Sequence, residues 1–454
     1  MAVAADEPTD AKDALDLPLV WSAEGDGFCM SDLLRRTDPD RIAVYVFSTF
    51  GTSRTPDTPQ IGTFDLATGR STQTPVLKDD PFWKKEPFLN GLTTFGIAVA
   101  SEEHSRYFVD PPYRAGSGGV RTLVAFDLDA GKERWRAPLP DATTIYQPFY
   151  ASHISSPFMQ DGRVLAGTMA FDAATGKRLW SVKTRARAAL PIELAYPVAC
   201  GKRQAFYYLL RKESRFASLA VVDLATGTIN HEEPLRHFIE KAMLTGDERQ
   251  IFLQGYNERG CINCVGISYD DIFDTKTWAR RSMIDTYPQI VAGNLLIAHL
   301  SSASTTRRLA DLSRAVDNIF TDLGAFDAAT GRIVWQHTDN VDNKLSDWVV
   351  GETGGVLIVR QSKQGDPHTY LYGARGDDGT ILWKTTLLDD AHAGLQFVHY
   401  SVVGPDRLVQ MIQWKPNGSD TFRHRLRCYK LLPPSQAAPH ISTAVPALAS
   451  LSPP

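Results

Sequence analysis

Long apolar runs are missing from this chain of 454 residues. No stretch approaches the roughly 18 consecutive apolar residues that a membrane-spanning helix needs. Charge of one sign is also missing. A formal net charge of -4 gives nucleic acid and anionic membrane surfaces nothing to hold, so neither is expected as a partner. Cysteine is sparse, with five in all, an odd number too few for a disulfide scaffold. Cys261 and Cys264 stand in "CINC", but no second C-x-x-C and no nearby His pair completes a zinc site. A redox pair would open a helix, whose dipole lowers the thiol pKa. "GYNERGCINCVGISYD" reads instead as a loop running into a strand, and a quiet pair or a small-loop disulfide is the expectation. The start, "MAVAADEPTDAKDALD", lacks the basic and apolar regions of a signal peptide. "AVAAD" resembles the small-residue end of a cleaved signal, so the expectation is an exported protein with its signal removed, or otherwise a cytoplasmic one.

What the chain has is one phrase written many times. "TFDLATGRSTQT", "AFDLDAGKERW", "AFDAATGKRLW", "VVDLATGTINH", "SYDDIFDTKTW", "AFDAATGRIVW" and "GARGDDGTILW" align on Asp65, Asp127, Asp172, Asp223, Asp270, Asp327 and Arg375. The period is about 50 residues, which marks a repeat architecture rather than a duplicated domain. Alternating apolar positions on either side of Ala-Thr-Gly spell strand, tight turn, strand. In five copies a Trp follows the aligned position by eight residues: Trp135, Trp180, Trp278, Trp335 and Trp383. Upstream of the copies lie paired strand-like runs such as "FMQDGRVLAGT", "IVAGNLLIAHL" and "VVGPDRLVQMI". Four strands per unit at this period is the pattern of a β-propeller blade.

The two ends complete each other. "RHRLRCYKLL" has no Asp-Gly turn or Trp strand after it, and "LPLVWSAEG" has the Trp strand, with Trp21, but no three strands before it. Joined, they make a composite eighth blade that removes the exposed sheet edges. The expected fold is therefore all-β: an eight-bladed β-propeller of four-stranded antiparallel blades over residues 17–432, closed by an N-terminal strand. An acidic extension, 1–16, precedes it, and a Pro-rich tail expected to be disordered, 433–454, follows. In blade six the segment "SSASTTRRLADLSRAVDNIF" spaces Leu309, Leu312, Val316 and Ile319 at steps of three and four, which predicts a short amphipathic helix over the channel mouth.

The tandem A-F-D-x-x-T-G-x-x-x-W phrase resembles the quinoprotein alcohol dehydrogenase-like, or PQQ-like repeat, β-propeller family over roughly residues 17 to 432. In that family the repeated Trp is structural and docks onto the neighbouring blade. The resemblance spans quinone-dependent dehydrogenases, assembly scaffolds and members of unknown role. It therefore implies pyrroloquinoline quinone with calcium for one branch only. Neither a vicinal Cys-Cys pair nor the acidic catalytic-base motif of that branch is matched here, and no cofactor is expected.

Propeller geometry sorts the loops onto two faces. The long and varied ones, such as "FGTSRTPDTPQ", "DPPYRAGSGGVR" and "WKPNGSD", share the face where the first strands begin, which is where propellers bind. Counting back from each opposite turn places His153, Glu193, Glu240, Asp285, Tyr287, Asp347, Trp348 and His399 around a central funnel. Acids, two His and aromatics converging there suit a polar ligand, a cation or acid-base work. The expected function is a monomer that binds a small molecule, protein or peptide at this funnel without quinone chemistry. The alternative is an enzyme using the same funnel, by cofactor-free cyclisation or isomerisation or as a quinone-dependent dehydrogenase.

Overall fold

A computed structural model describes residues 17–26, 28–30, 41–47, 60–75, 99–102, 105–109, 121–127, 132–139, 158–183, 192–211, 217–235, 238–256, 268–283, 286–301, 320–337, 345–363, 369–387, 395–416, 418–419 and 422–431. These residues form strands and turns and no helix. The helix expected in blade six, the "CINC" motif, the extension before Leu17 and the tail all lie outside them.

The strands assemble into eight four-stranded sheets, every pairing antiparallel. In chain order, sheets one to seven occupy residues 28–75, 99–139, 158–181, 192–234, 238–283, 286–336 and 345–387. Each is a meander of four consecutive strands. The eighth takes three strands from the end of the chain, Leu395–Val403, Arg407–Trp414 and Arg423–Lys430, and its fourth from the start, Leu19–Asp26.

Burial follows position within a sheet. The second strand of sheet four, Gln204–Arg211, is apolar on both faces, with Ala205 to Leu209 all buried. A strand covered on both faces reads as a continuous apolar run rather than an alternation. The covering comes from neighbouring sheets. Leu165 and Trp180 of sheet three pack with Tyr207 and Val222 of sheet four, and Phe252 of sheet five with Leu296 of sheet six. Ile297 of sheet six packs with Val359 of sheet seven, and Trp21 and Met411 of sheet eight with Phe64 of sheet one.

The repeated phrase builds one turn. Asp172 Oδ1 accepts hydrogen bonds from the Thr175 amide at 2.8 Å and hydroxyl at 2.6 Å, and the Gly176 amide returns to the Asp172 carbonyl at 2.8 Å. Gly176 sits at φ +71°, where side-chain-bearing residues are strained. The Thr175 hydroxyl and amide also hold the Asp172 carboxyl below its ordinary pKa. The same bonds recur at Asp65, Asp223 and Asp327.

Four turns receive an indole from the sheet before them. Trp135 Nε1 donates to the Ala173 carbonyl at 2.9 Å, Trp180 to Leu224 at 2.8 Å and Trp335 to Gly376 at 2.9 Å. Trp21, on the strand that completes sheet eight, donates to Leu66 of sheet one at 2.9 Å. The turn glycine lies flat under the ring. A Cβ on Gly69, Gly176, Gly227 or Gly379 would come within 2.6–2.7 Å of Trp21, Trp135, Trp180 or Trp335.

Two copies depart from this. In sheet five the turn Asp is Asp274, not Asp270. Its Oδ1 takes the Thr277 amide at 2.6 Å and hydroxyl at 2.8 Å, while Asp270 is paired with Met283 inside the ladder. Trp278 therefore occupies the glycine position, at φ +60°. The residue in the Trp position of sheet four is His231, and its ring stacks on Trp278 at 4.2 Å and 18°. This seam keeps an aromatic contact with the partners exchanged. The second departure is Trp383, buried in the seam between sheets seven and eight without an acceptor for its Nε1 among the described residues. It folds over Gly373 of its own sheet, with its ring 2.5 Å from where a Cβ would stand.

Candidate functional site

From sheet two to sheet eight, each sheet's first strand lies beside the first strand of the next, so their starting ends collect on one face. β-bulges interrupt three of these strands near those ends. Glu193 falls at the register shift between Ile192 and Leu194, and Glu240 at the shift between Ile239 and Lys241, in equivalent places of sheets four and five. A bulged residue has no cross-strand partner. Tyr287 pairs with His299 in sheet six. His399, partly buried, pairs with Met411 in sheet eight. His153 and Asp285 lie outside the described residues.

Asp347 and Trp348, at the start of Leu345–Thr353, have the fullest surroundings. The Asp347 side chain is 1% exposed. Its Oδ1 accepts from Gln361 Nε2 at 2.9 Å and its Oδ2 from the Tyr372 hydroxyl at 2.8 Å. Lys384 Nζ donates to Gln361 Oε1 at 2.7 Å and lies 5.0 Å from the Tyr370 ring. The chain Lys384, Gln361, Asp347, Tyr372 thus takes one residue from each strand of sheet seven. Burial, and then the Asp347 carboxylate, push the Tyr372 phenol well above its ordinary pKa. It stays protonated and serves as a donor.

Sheet six supplies two histidines to the same place. His299, 1% exposed, bonds through Nε2 to the Asp347 carbonyl. A carbonyl only accepts, so the proton is on Nε2. His337 Nε2 donates to the Gly379 carbonyl at 2.9 Å, leaving Nδ1 3.5 Å from the Tyr372 hydroxyl. This web ties the first strand of sheet seven to its neighbour and fixes the backbone at residue 347. The next side chain, Trp348, is 45% exposed, with its ring edge-on to His299 at 4.9 Å and 79°. A large aromatic held by buried polar bonds at the rim of converging strands has the features of a binding anchor.

Sequence reasoning placed Asp347 and Trp348 here but missed His299, Gln361, Tyr372, Lys384 and His337. One signal could have found the second-strand members: a polar residue inside a strand that is otherwise apolar on both faces, as in "LLIAHLS" and "VLIVRQSK".

The described residues around Asp347 do not make a calcium site. Calcium takes 6–8 oxygen ligands, several of them carboxylate. Among the described residues no three acidic, His or Cys side chains converge, and both Asp347 oxygens already accept from Gln361 and Tyr372.

Among solved structures, BamB from Moraxella catarrhalis is 12% identical with a TM-score of 0.46, covering 92% of this chain and 100% of its own. A europium-containing methanol dehydrogenase is 11% identical with a TM-score of 0.42, covering 91% of this chain and 93% of its own. Neither likeness carries an argument about activity. No curated protein matches the chain. The family model described as outer membrane protein assembly factor BamB matches residues 78–299 and 320–411, well over half of the chain. The protein belongs to that family of PQQ-like repeat β-propellers.

Proposed function

We propose that the protein is a binding platform: an eight-bladed, closed propeller whose first-strand face takes a protein or peptide partner without quinone chemistry. The indole bond from Trp21 to Leu66 supports closure, since it joins sheet eight to sheet one as Trp180 joins sheet three to sheet four. The observation that carries the binding reading is Trp348, half exposed and backed by the web of Asp347, His299, Gln361, Tyr372 and Lys384. A family described by an assembly factor supports a protein partner over a small molecule. In this reading His153, Glu193, Glu240, Asp285, Tyr287 and His399 line the rest of the funnel and shape specificity.

The test is selection of phage-displayed random peptides on the intact protein. Peptides should enrich. Trp348→Ala should weaken their binding on the order of tenfold or more, as loss of a central aromatic anchor does. Lys177→Ala, in the turns at the opposite end, should leave it unchanged. Equal effects from both substitutions would overturn the reading. So would a saturable rise in melting temperature on adding pyrroloquinoline quinone and calcium, because a ligand that binds the native state must stabilise it.

A further inference from the structure

Trp348 has a charged cross-strand partner. Arg360, in the second strand of sheet seven, is its Cα partner in the antiparallel ladder, so both side chains leave the same face of the sheet. The Arg360 guanidinium reaches sheet eight, 5.6 Å from the Tyr400 ring centroid, while the Trp348 ring lies edge-on to His299 of sheet six. Four other partly buried arginines carry an acid. Arg211 pairs with Glu232, Arg280 with Asp271, Arg407 with Asp406 and Arg425 with Glu24. Arg360 has no carboxylate among the described residues, and its enclosed Nε has no hydrogen-bond partner there. An arginine cannot shed its proton, and among the described residues this one has the tyrosine face and no counter-charge. Trp, Arg and Tyr together are also the side chains that dominate protein interfaces.

We infer that Arg360 is the charge-reading half of the binding anchor: it pairs with an Asp or Glu side chain of the partner segment while Trp348 takes an adjacent apolar side chain. The partner is thus an acidic peptide with an aromatic or aliphatic residue beside its acid. This rests on the platform reading and adds the chemistry of the partner to it. A carboxylate fits the two terminal nitrogens of a guanidinium side by side, which fixes the direction of the peptide as well as its charge.

The same selected peptides test it. Those enriched on the intact protein should carry an excess of Asp and Glu next to apolar residues. Arg360→Gln should weaken the best of them by about tenfold or more, the effect of losing a hydrogen-bonded charge. Arg360→Lys should weaken it less, and added salt should weaken binding to the intact protein. Replacing the peptide's acids by their amides must reproduce the loss, a control that leaves the protein untouched should Arg360→Gln fail to fold. Enriched peptides without an acidic excess, or amide peptides that bind as well as the acids, would overturn this inference and leave the platform standing. No enrichment at all would remove both.

Discussion

Trp21→Ala should destabilise the protein by about 3–5 kcal/mol, the range for truncating a buried aromatic to a methyl. The structure supports the upper part of that range. Trp21 is 8% exposed, stacks on Phe64 at 6.1 Å and donates to the Leu66 carbonyl at 2.9 Å. Removing it opens the cluster that Phe64 and Leu66 of sheet one form with Val409, Met411 and Leu426 of sheet eight. Trp21→Phe keeps most of the packing and loses the indole bond, so it should cost only about 1 kcal/mol beyond the smaller ring. Trp180→Ala is the internal standard. Trp180 has the same 8% exposure and donates to Leu224 at 2.8 Å, but it joins sheets that follow one another in the chain. If the contact of sheet eight with sheet one is an ordinary seam, the two alanine variants should agree within about 1 kcal/mol. The assay is urea unfolding followed by far-UV circular dichroism, which does not depend on the fluorescence of the residue removed. An unchanged slope would show that stability and not the unfolded state has altered. Should Trp21→Ala match the parent while Trp180→Ala loses several kcal/mol, the N-terminal strand does not close the molecule and the reasoning fails.

Two other outcomes follow from the turns. His231→Trp combined with Trp278→Gly restores the arrangement of the other seams, so a double-mutant cycle should show favourable coupling of about 0.5–3 kcal/mol; additive losses would mean that the stacked pair is incidental. Hydrogen bonds to Thr175 and to Thr277 depress the folded pKa of Asp172 and Asp274. A depressed carboxyl contributes stability that is complete above its ordinary value and is lost as pH falls through the folded value. Unfolding titrations should therefore show stability declining below about pH 4, less steeply in Asp172→Asn; an identical slope in the variant would contradict the role given to the turn.

The repeat was legible because its turn is local. Every bond of Asp-x-x-Thr-Gly closes within six residues, so the letters carry the geometry with them. Sheet five was misread for the opposite reason. "SYDDIFDTKTW" holds three aspartates, and counting back from Trp278 selects Asp270. The turn is at Asp274 because Trp278 fills the glycine position against His231, a residue from the preceding sheet. No local pattern announces that exchange. The site divides the same way. Asp347 and Trp348 could be placed by counting along a strand, but Gln361 and Tyr372 reach Asp347 from two other strands, Lys384 reaches Gln361 from a third, and His299 comes from another sheet. Each of them alone looks like an ordinary polar residue in a ladder.

Trp383 shows what joining two chain ends does to a repeat. In intact turns the Asp amide bonds to the carbonyl five residues on, as Asp172 does to Lys177 at 2.9 Å. In sheet eight the matching bond runs from the Lys430 amide to the Pro18 carbonyl, also at 2.9 Å, across the break between the ends. Pro18 thus takes the place of the fifth residue, and Trp21, three further on, falls where a repeat Trp belongs. By the same count Leu17 takes the place of the turn glycine. It is buried in the cluster that holds Trp383. A glycine lets the preceding sheet's indole lie flat on the turn and reach its carbonyl; a leucine side chain fills that space. Trp383 turns instead onto Gly373, leaving its Nε1 without an acceptor among the described residues. A buried donor without an acceptor costs about 1–3 kcal/mol. That cost is local to this seam. It is the consequence of building the last sheet from both ends of the chain, which leaves the turn open at its glycine.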